Sequence, residues 1–338
     1  CALPILRNMR AKLAALAAGT LVVGLPLAVI AIDAAWAWRP SADHGVAARV
    51  AAAPDLDAFL TDREDSMPGV KPALRKAIRW HDPATRARTP IAVVYLHGFS
   101  ASRGELAPVP EHLADSLGAN LFVTRLAAHG RTDGEAFKTV RPQDWMDDAR
   151  EALAIGRRIG DRVIILGMST GALLALELVA ESPDSLRPAA LLLGSPNYEP
   201  RDPRARFIAG PFGPMLARLV GGTHREFEAT NAAHAELWTR RYRVEGIAAL
   251  MDLVLAARRL DLARITVPVL TIYSRHDDVV RLDLVTVNHA RFGSPVKAIV
   301  DLPEATRHEL ASDALVPAAV DPAVRVMLDF SRRALAAR

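Results

Sequence analysis

The chain is poor in sulfur, in aromatic rings and in net charge. Its 338 residues include one cysteine, Cys1, so no intrachain disulfide can form and no cysteine-based metal site is available. Aromatic residues make up 5% of the chain and are not interleaved with basic blocks, which removes nucleic acid as an expected partner. The net charge is only +4. The pI near 9.5 reflects a slight excess of Arg spread along the chain rather than a basic patch. The histidines show no His-Glu-x-x-His spacing, no internal repeat is present, and no metal or cofactor is called for. What is abundant is apolar surface, 51% of residues, enough for one large domain with an insertion or for two ordinary ones.

Long uncharged runs are confined to the amino terminus. Arg7, Arg10 and Lys12 precede residues 13–32, which carry no charge. Twenty apolar residues at helical rise span about 30 Å, a bilayer core. Pro26 is tolerated in such a helix, and Trp36 and Trp38 stand where an interfacial belt falls. The expectation is a membrane segment over residues 1–38, its basic flank cytoplasmic and the remainder outside the cytoplasm, on the periplasmic side. A cleaved signal peptide with "AWA" (35–37) as its processing site stays open, and would leave a secreted protein. Residues 39–72, rich in Pro, Asp, Ala and Gly, read as a stalk with one short helical piece, "DLDAFLTDRE", and residues 73–338 as the catalytic domain.

Within that domain apolar strands alternate with helical patterns. Strands are expected at 91–96, 120–126, 162–166, 189–195, 267–274 and 296–303. Helices are expected in "ELAPVPEHLADSLG", over 142–160, after Ser169 and at the carboxyl end. This alternation predicts an α/β fold with a mostly parallel, doubly wound sheet. One gap breaks the rhythm, for Ser195 and Val267 lie far further apart than a crossover requires. Residues of about 197–264, apolar at helical spacing, read as a helical cap inserted before the strand that leads to "SRHDDVV".

The chemistry centres on Gly167-Met168-Ser169-Thr170-Gly171, a G-x-S-x-G sequence. Alone the pattern is weak, but "VIIL" enters it as a buried strand and a helix leaves it. The chain must reverse sharply, with Ser169 on the strained tip and its hydroxyl exposed. A serine of this kind needs a base. His308, in "EATRHELASD", follows the last strand. Asp277 follows the preceding strand and is the expected acid, with Asp278 as the fallback. The oxyanion donors are expected at the amides of Thr170 and of Phe99, in "YLHGFSASRGE". His97 reads as a brace for that loop rather than as a base, and His129-Gly130 as the pocket rim.

With "LHGFSASRGE", "RLAAHGRT", "GMSTG", "SRHDDVV" and "RHEL" in this order over about residues 75–335, the sequence resembles the α/β-hydrolase superfamily. It is most similar to bacterial carboxylesterases and to monoacylglycerol-lipase or lysophospholipase-like enzymes with a helical cap. The resemblance implies Ser169 as nucleophile, Asp277 as acid, His308 as base, and Phe99 and Thr170 as oxyanion amides. It implies a serine esterase or lipase that needs no cofactor and acts on a small-molecule or lipid ester. Two departures stand out. Ala127-Ala128 precede His129, and Ser274 precedes the acid, where relatives often have Gly. Two other readings stay open: an amidase or aminopeptidase using the same triad, with Glu226, Glu228, Glu236 or Glu245 holding the substrate amine, and a membrane-tethered binding protein with an inactive hydrolase domain. The oligomeric state is not legible.

Overall fold

The computed structural model describes residues 38–337. The expected membrane segment, 13–32, lies outside the described residues. Among the described residues, no helix is long and apolar enough to cross a membrane.

The strands in chain order are β1 (Ala77–Arg79), β2 (Thr89–Leu96), β3 (Asn120–Val123), β4 (Gly160–Met168), β5 (Ala190–Gly194), β6 (His224–Glu226), β7 (Arg241–Arg243), β8 (Val269–Tyr273) and β9 (Lys297–Asp301). All but β6 and β7 form one sheet in the order β1-β3-β2-β4-β5-β8-β9. Every pairing in it is parallel except that of β1 with β3. The helices are α1 (Val46–Ala52), α2 (Leu56–Asp65), α3 (Val109–Leu117), α4 (Pro142–Ile159), α5 (Thr170–Glu181), α6 (Gly213–Gly221), α7 (Ala232–Leu237), α8 (Glu245–Ala257), α9 (Leu282–Arg291) and α10 (Val320–Ala336).

The strands are apolar without interruption because both faces of the sheet are covered. Val94, Leu96, Ile165, Leu191 and Leu193 point into one core, with α4 and α5. Their neighbours Val93, Tyr95, Ile164, Leu166 and Leu192 point into the other, with α3 and α10. The register brings the carboxyl ends of the central strands level. Leu96 stands opposite Gly167, Met168 opposite Gly194, Gly194 opposite Ile272, and Tyr273 opposite Asp301. The loops that carry the candidate chemistry therefore leave from one edge.

The segment between β5 and β8 is more than a helical cap. It contains α6, α7 and α8 together with an antiparallel pair, β6 and β7, in which His224 stands opposite Arg243. Helix α8 is apolar almost all round and packs down on α5 and α4. The cap also ties to the body at Thr239, whose N–H donates to the carbonyl of Ser100 at 2.7 Å.

Residues 39–72 differ most from expectation. They do not form a free stalk. Asp55 caps α2 by accepting from the Ala58 N–H at 3.0 Å. Val50, Leu56 and Leu60 join the main core. Arg125 donates to both oxygens of Glu64, at 2.8 and 2.9 Å, and both side chains are buried. Close by, Lys76 Nζ lies between Asp148 at 2.7 Å and Glu151 at 2.5 Å, while Arg63 reaches Glu151 at 3.0 Å. The two short helices dock because Val46, Val50, Ala53, Leu56 and Leu60 are buried and the charges of Arg63 and Glu64 meet buried partners. Glu64→Ala strands Arg125 in the interior, so it should lower unfolding stability by about 3–5 kcal/mol in urea melts. A loss under about 0.5 kcal/mol, usual for a surface change, would restore the stalk.

Candidate active site

Ser169 joins β4 to α5 at φ 52 and ψ −107, a conformation sparsely populated by non-glycine residues and costly to hold. The turn exists because its flanks have no side chains. A Cβ on Gly171 would lie 2.0 Å from the Leu96 carbonyl oxygen, and one on Gly167 2.6 Å from that of Gly171. The helix can thus start directly against the end of β2. Ser169 N–H is held by the carbonyl of Gly194 at 2.8 Å. Ser169 itself is only 5% exposed, so the hydroxyl expected on an open tip is instead enclosed. Thr170 opens α5, and its N–H has no acceptor within the helix.

Asp277 and His308 come together as expected from their loops. Asp277 Oδ2 lies 2.6 Å from His308 Nδ1. Its Oδ1 accepts from the N–H groups of Val279 and Val280 at 2.9 and 3.1 Å. Asp277 is buried and Asp278 exposed, which separates the two candidates. Ser274 explains why serine stands where relatives often have glycine. Its hydroxyl donates to the carbonyl of Ala305 at 2.5 Å and accepts from the His276 N–H at 3.1 Å, so it staples the acid loop to the loop of His308. Burial alone would lower the His308 pKa, but the hydrogen bond and charge of Asp277 outweigh it, and the pKa is raised. Burial pushes the Asp277 carboxyl up, yet His308 and the two amides bring it below the usual range. Among the described residues His308 bonds only through Nδ1, and no hydrogen bond links its Nε2 to Ser169.

The loop after β2 presents three consecutive amides, and two are occupied. Gly98 N–H donates to Glu105 Oε2 at 2.6 Å, and Ser100 N–H to His129 Nε2 at 2.9 Å. Phe99 N–H, between them, has no partner among the described residues. His129 Nδ1 lies 2.9 Å from the Ala127 carbonyl. His97 repeats the pattern, with Nδ1 2.8 Å from the Gly98 carbonyl and Nε2 accepting from Leu126 N–H at 3.0 Å. In both rings Nδ1 carries the proton and Nε2 accepts, which requires neutral imidazole. Burial enforces this, lowering the His97 pKa to about 4 and that of His129 well below its ordinary value. Both are braces, and neither is a base. The rim keeps its shape without glycine because Ala128 itself adopts φ 70.

The residue that the sequence reading missed is Glu105. It is buried, accepts from Gly98 N–H and from Tyr95 OH at 3.1 Å, and faces the charge of His308. Burial raises its pKa to about 7. A carboxylate eight residues after His97 was legible, but nothing local shows that the loop folds back upon it.

A parallel sheet with its chemistry gathered at the carboxyl edge, beneath an inserted cap, is the architecture of the α/β-hydrolases. Within that class the chain belongs to the serine aminopeptidase S33 family, which residues 88–314 match. No curated protein sequence is significantly similar to it. Among solved structures it resembles one of the metagenome-derived lipolytic enzymes LipS and LipT, with TM-score 0.65 and 20% identity over 78% of this chain and 99% of that one. It also resembles a soluble variant of the monoglyceride lipase of Saccharomyces cerevisiae (0.57, 14% identity, 77% and 91%). A third is the monoacylglycerol lipase of Paleococcus ferrophilus (0.55, 16% identity, 77% and 99%). At these identities the likeness speaks for the fold.

Two outcomes follow from this geometry. His308 accepts a proton only when neutral, and its pKa is raised, so kcat/KM should fall as pH drops through a value above 6.5. A limb below 6.5 in a pH–rate profile would contradict a raised His308 pKa. Glu105→Ala releases the loop beside Phe99, so kcat should fall about 10- to 100-fold with little change in KM. An unchanged kcat in steady-state assays would show that Glu105 does not set the loop.

Proposed function

We propose that the protein is a serine hydrolase of carboxylic esters, with Ser169 as nucleophile, His308 as general base and Asp277 as the group that orients it. The observation that carries this reading is the 2.6 Å Asp277–His308 contact at the same sheet edge as the strained Ser169. His308 Nε2 takes the Ser169 proton as the hydroxyl attacks the acyl carbonyl. Asp277 holds the Nδ1–H tautomer and stabilises the imidazolium. The amides of Phe99 and Thr170 receive the tetrahedral oxyanion, each donor contributing about 3–4 kcal/mol. The alcohol departs with the proton from His308, which then activates water against the acyl-enzyme. The Ser169–His308 bond forms as substrate settles, a tightening common to such pairs.

The family's description and the amidase alternative both raise cleavage of an amine-bearing substrate. That chemistry needs a free carboxylate to hold the amine. The candidate carboxylates of the cap are mostly occupied. Glu245 pairs with Arg218 and Arg243, Glu236 with Lys71, and Glu226 stands 3.9 Å from Arg241. Glu228 is exposed. This favours an ester. The S. cerevisiae and P. ferrophilus neighbours are lipases of monoglycerides by name, and a glyceride-like ester is the substrate class we favour for this cap.

Ser169→Ala should reduce turnover of a p-nitrophenyl ester about 10⁶-fold, and the wild type should cleave that ester far faster than an aminoacyl p-nitroanilide. Near-normal ester turnover by Ser169→Ala would refute the nucleophile. A preference for the anilide would move the enzyme to the peptidases. Across p-nitrophenyl esters from acetate to palmitate, a peak at acetate would exclude the glyceride-like class.

A further inference from the structure

Exposed apolar side chains are concentrated in one place on the cap. Of nine large hydrophobic residues exposed among the described residues, five fall between 207 and 220: Phe207 (52%), Phe212 (59%), Met215 (59%), Leu219 (80%) and Val220 (83%). Helix α6 is built the wrong way round for a cap helix that serves only packing. Its buried positions are the small Gly213 and Ala217, which let it lie close on the cap, with a Gly213 Cβ only 2.1 Å from the Ile208 carbonyl oxygen. Met215, Leu219 and Val220 face outward, and only Leu216 among its large apolar residues is half-buried. The helix ends at Gly221 with Gly222 as its cap, so Leu219 and Val220 sit in its last turn. Exposed apolar side chains gathered in one short segment in this way mark a surface that meets something else.

The charge around it selects the occupant. Residues 203–221 contain three arginines, Arg204, Arg206 and Arg218, and no carboxylate. Asp202 is taken by Arg204 and Arg218 by Glu245. Arg206 has no carboxylate partner among the described residues. The Arg206 guanidinium lies 4.9 Å from the centre of the Phe207 ring, which puts a cation at the margin of the apolar patch. Two copies of this face would oppose arginine to arginine. A surface that is negatively charged at its boundary and apolar beneath satisfies both features at once.

We propose that the outer face of residues 207–220 is a docking surface for an anionic lipid bilayer, with Phe207, Phe212, Met215, Leu219 and Val220 entering below the headgroups and Arg206 at their margin contacting lipid phosphates. This contact is distinct from the uncharged run 13–32. It orients the cap, and the sheet edge beneath it, toward the membrane. The assignment does not rest on which bond Ser169 attacks.

Hydrogen–deuterium exchange of the full chain, read peptide by peptide, tests it without interference from the amino-terminal run. With phosphatidylcholine–phosphatidylglycerol vesicles, exchange across 207–222 should slow several-fold, and less so with phosphatidylcholine alone. The double variant Leu219→Asp/Val220→Asp should lose this slowing while keeping the wild-type melting temperature. Equal exchange with and without anionic vesicles would overturn the proposal. So would slow exchange in lipid-free protein, where growth with protein concentration would indicate a second copy as occupant and independence of concentration a segment of the same chain.

Discussion

The site depends on a contact that only glycine permits. At Gly171 the first turn of α5 rests on the Leu96 carbonyl so closely that a Cβ would overlap it. That approach lets α5 start directly against the end of β2, where β4 ends beside it, and leaves Ser169 in the strained turn between them. The strain at Ser169 is sustained because the surroundings leave no alternative. Gly194 holds its N–H, and α5, buried over ten of its twelve residues, fixes the other side.

Around this turn the polar groups are arranged by exclusion. Glu105 and His129 take the amides on either side of Phe99 and leave one free. The same logic operates at Asp277, where Val279 and Val280 hold one oxygen and leave the other to His308. Burial keeps His97 and His129 neutral so that they brace, while Asp277 keeps His308 basic despite its burial. The three buried histidines at this edge thus fall into two kinds, set by whether a carboxylate bonds them.

Much of this was legible in the sequence because it is local. The strand, the glycine-flanked serine and the helix are contiguous, and Asp277 and His308 each follow a strand whose apolar run is plain. The six expected strands exist, though β3 ends at Val123 as the chain turns away to bury Arg125. What escaped depends on distant pairing. The helical piece "DLDAFLTDRE" was visible, but the docking of residues 46–65 was not, because their anchors, Glu64 to Arg125 and Arg63 to Glu151, are separated by the length of the intervening fold. Strand β1 is three residues long and exists only through β3. Glu105 is an ordinary glutamate until the loop of Gly98 closes over it. The apolar character of the cap was visible, but not that α6 would turn Met215, Leu219 and Val220 outward.

The central claim is that Ser169 is activated by the Asp277–His308 pair and becomes acylated. An alkyl fluorophosphonate reports this directly, since it reacts with serines activated in this way. Peptide mapping by mass spectrometry should find one adduct, on the peptide containing Ser169, and none in His308→Ala. A folded protein that remains unmodified, or that carries the adduct on another serine, would contradict the account.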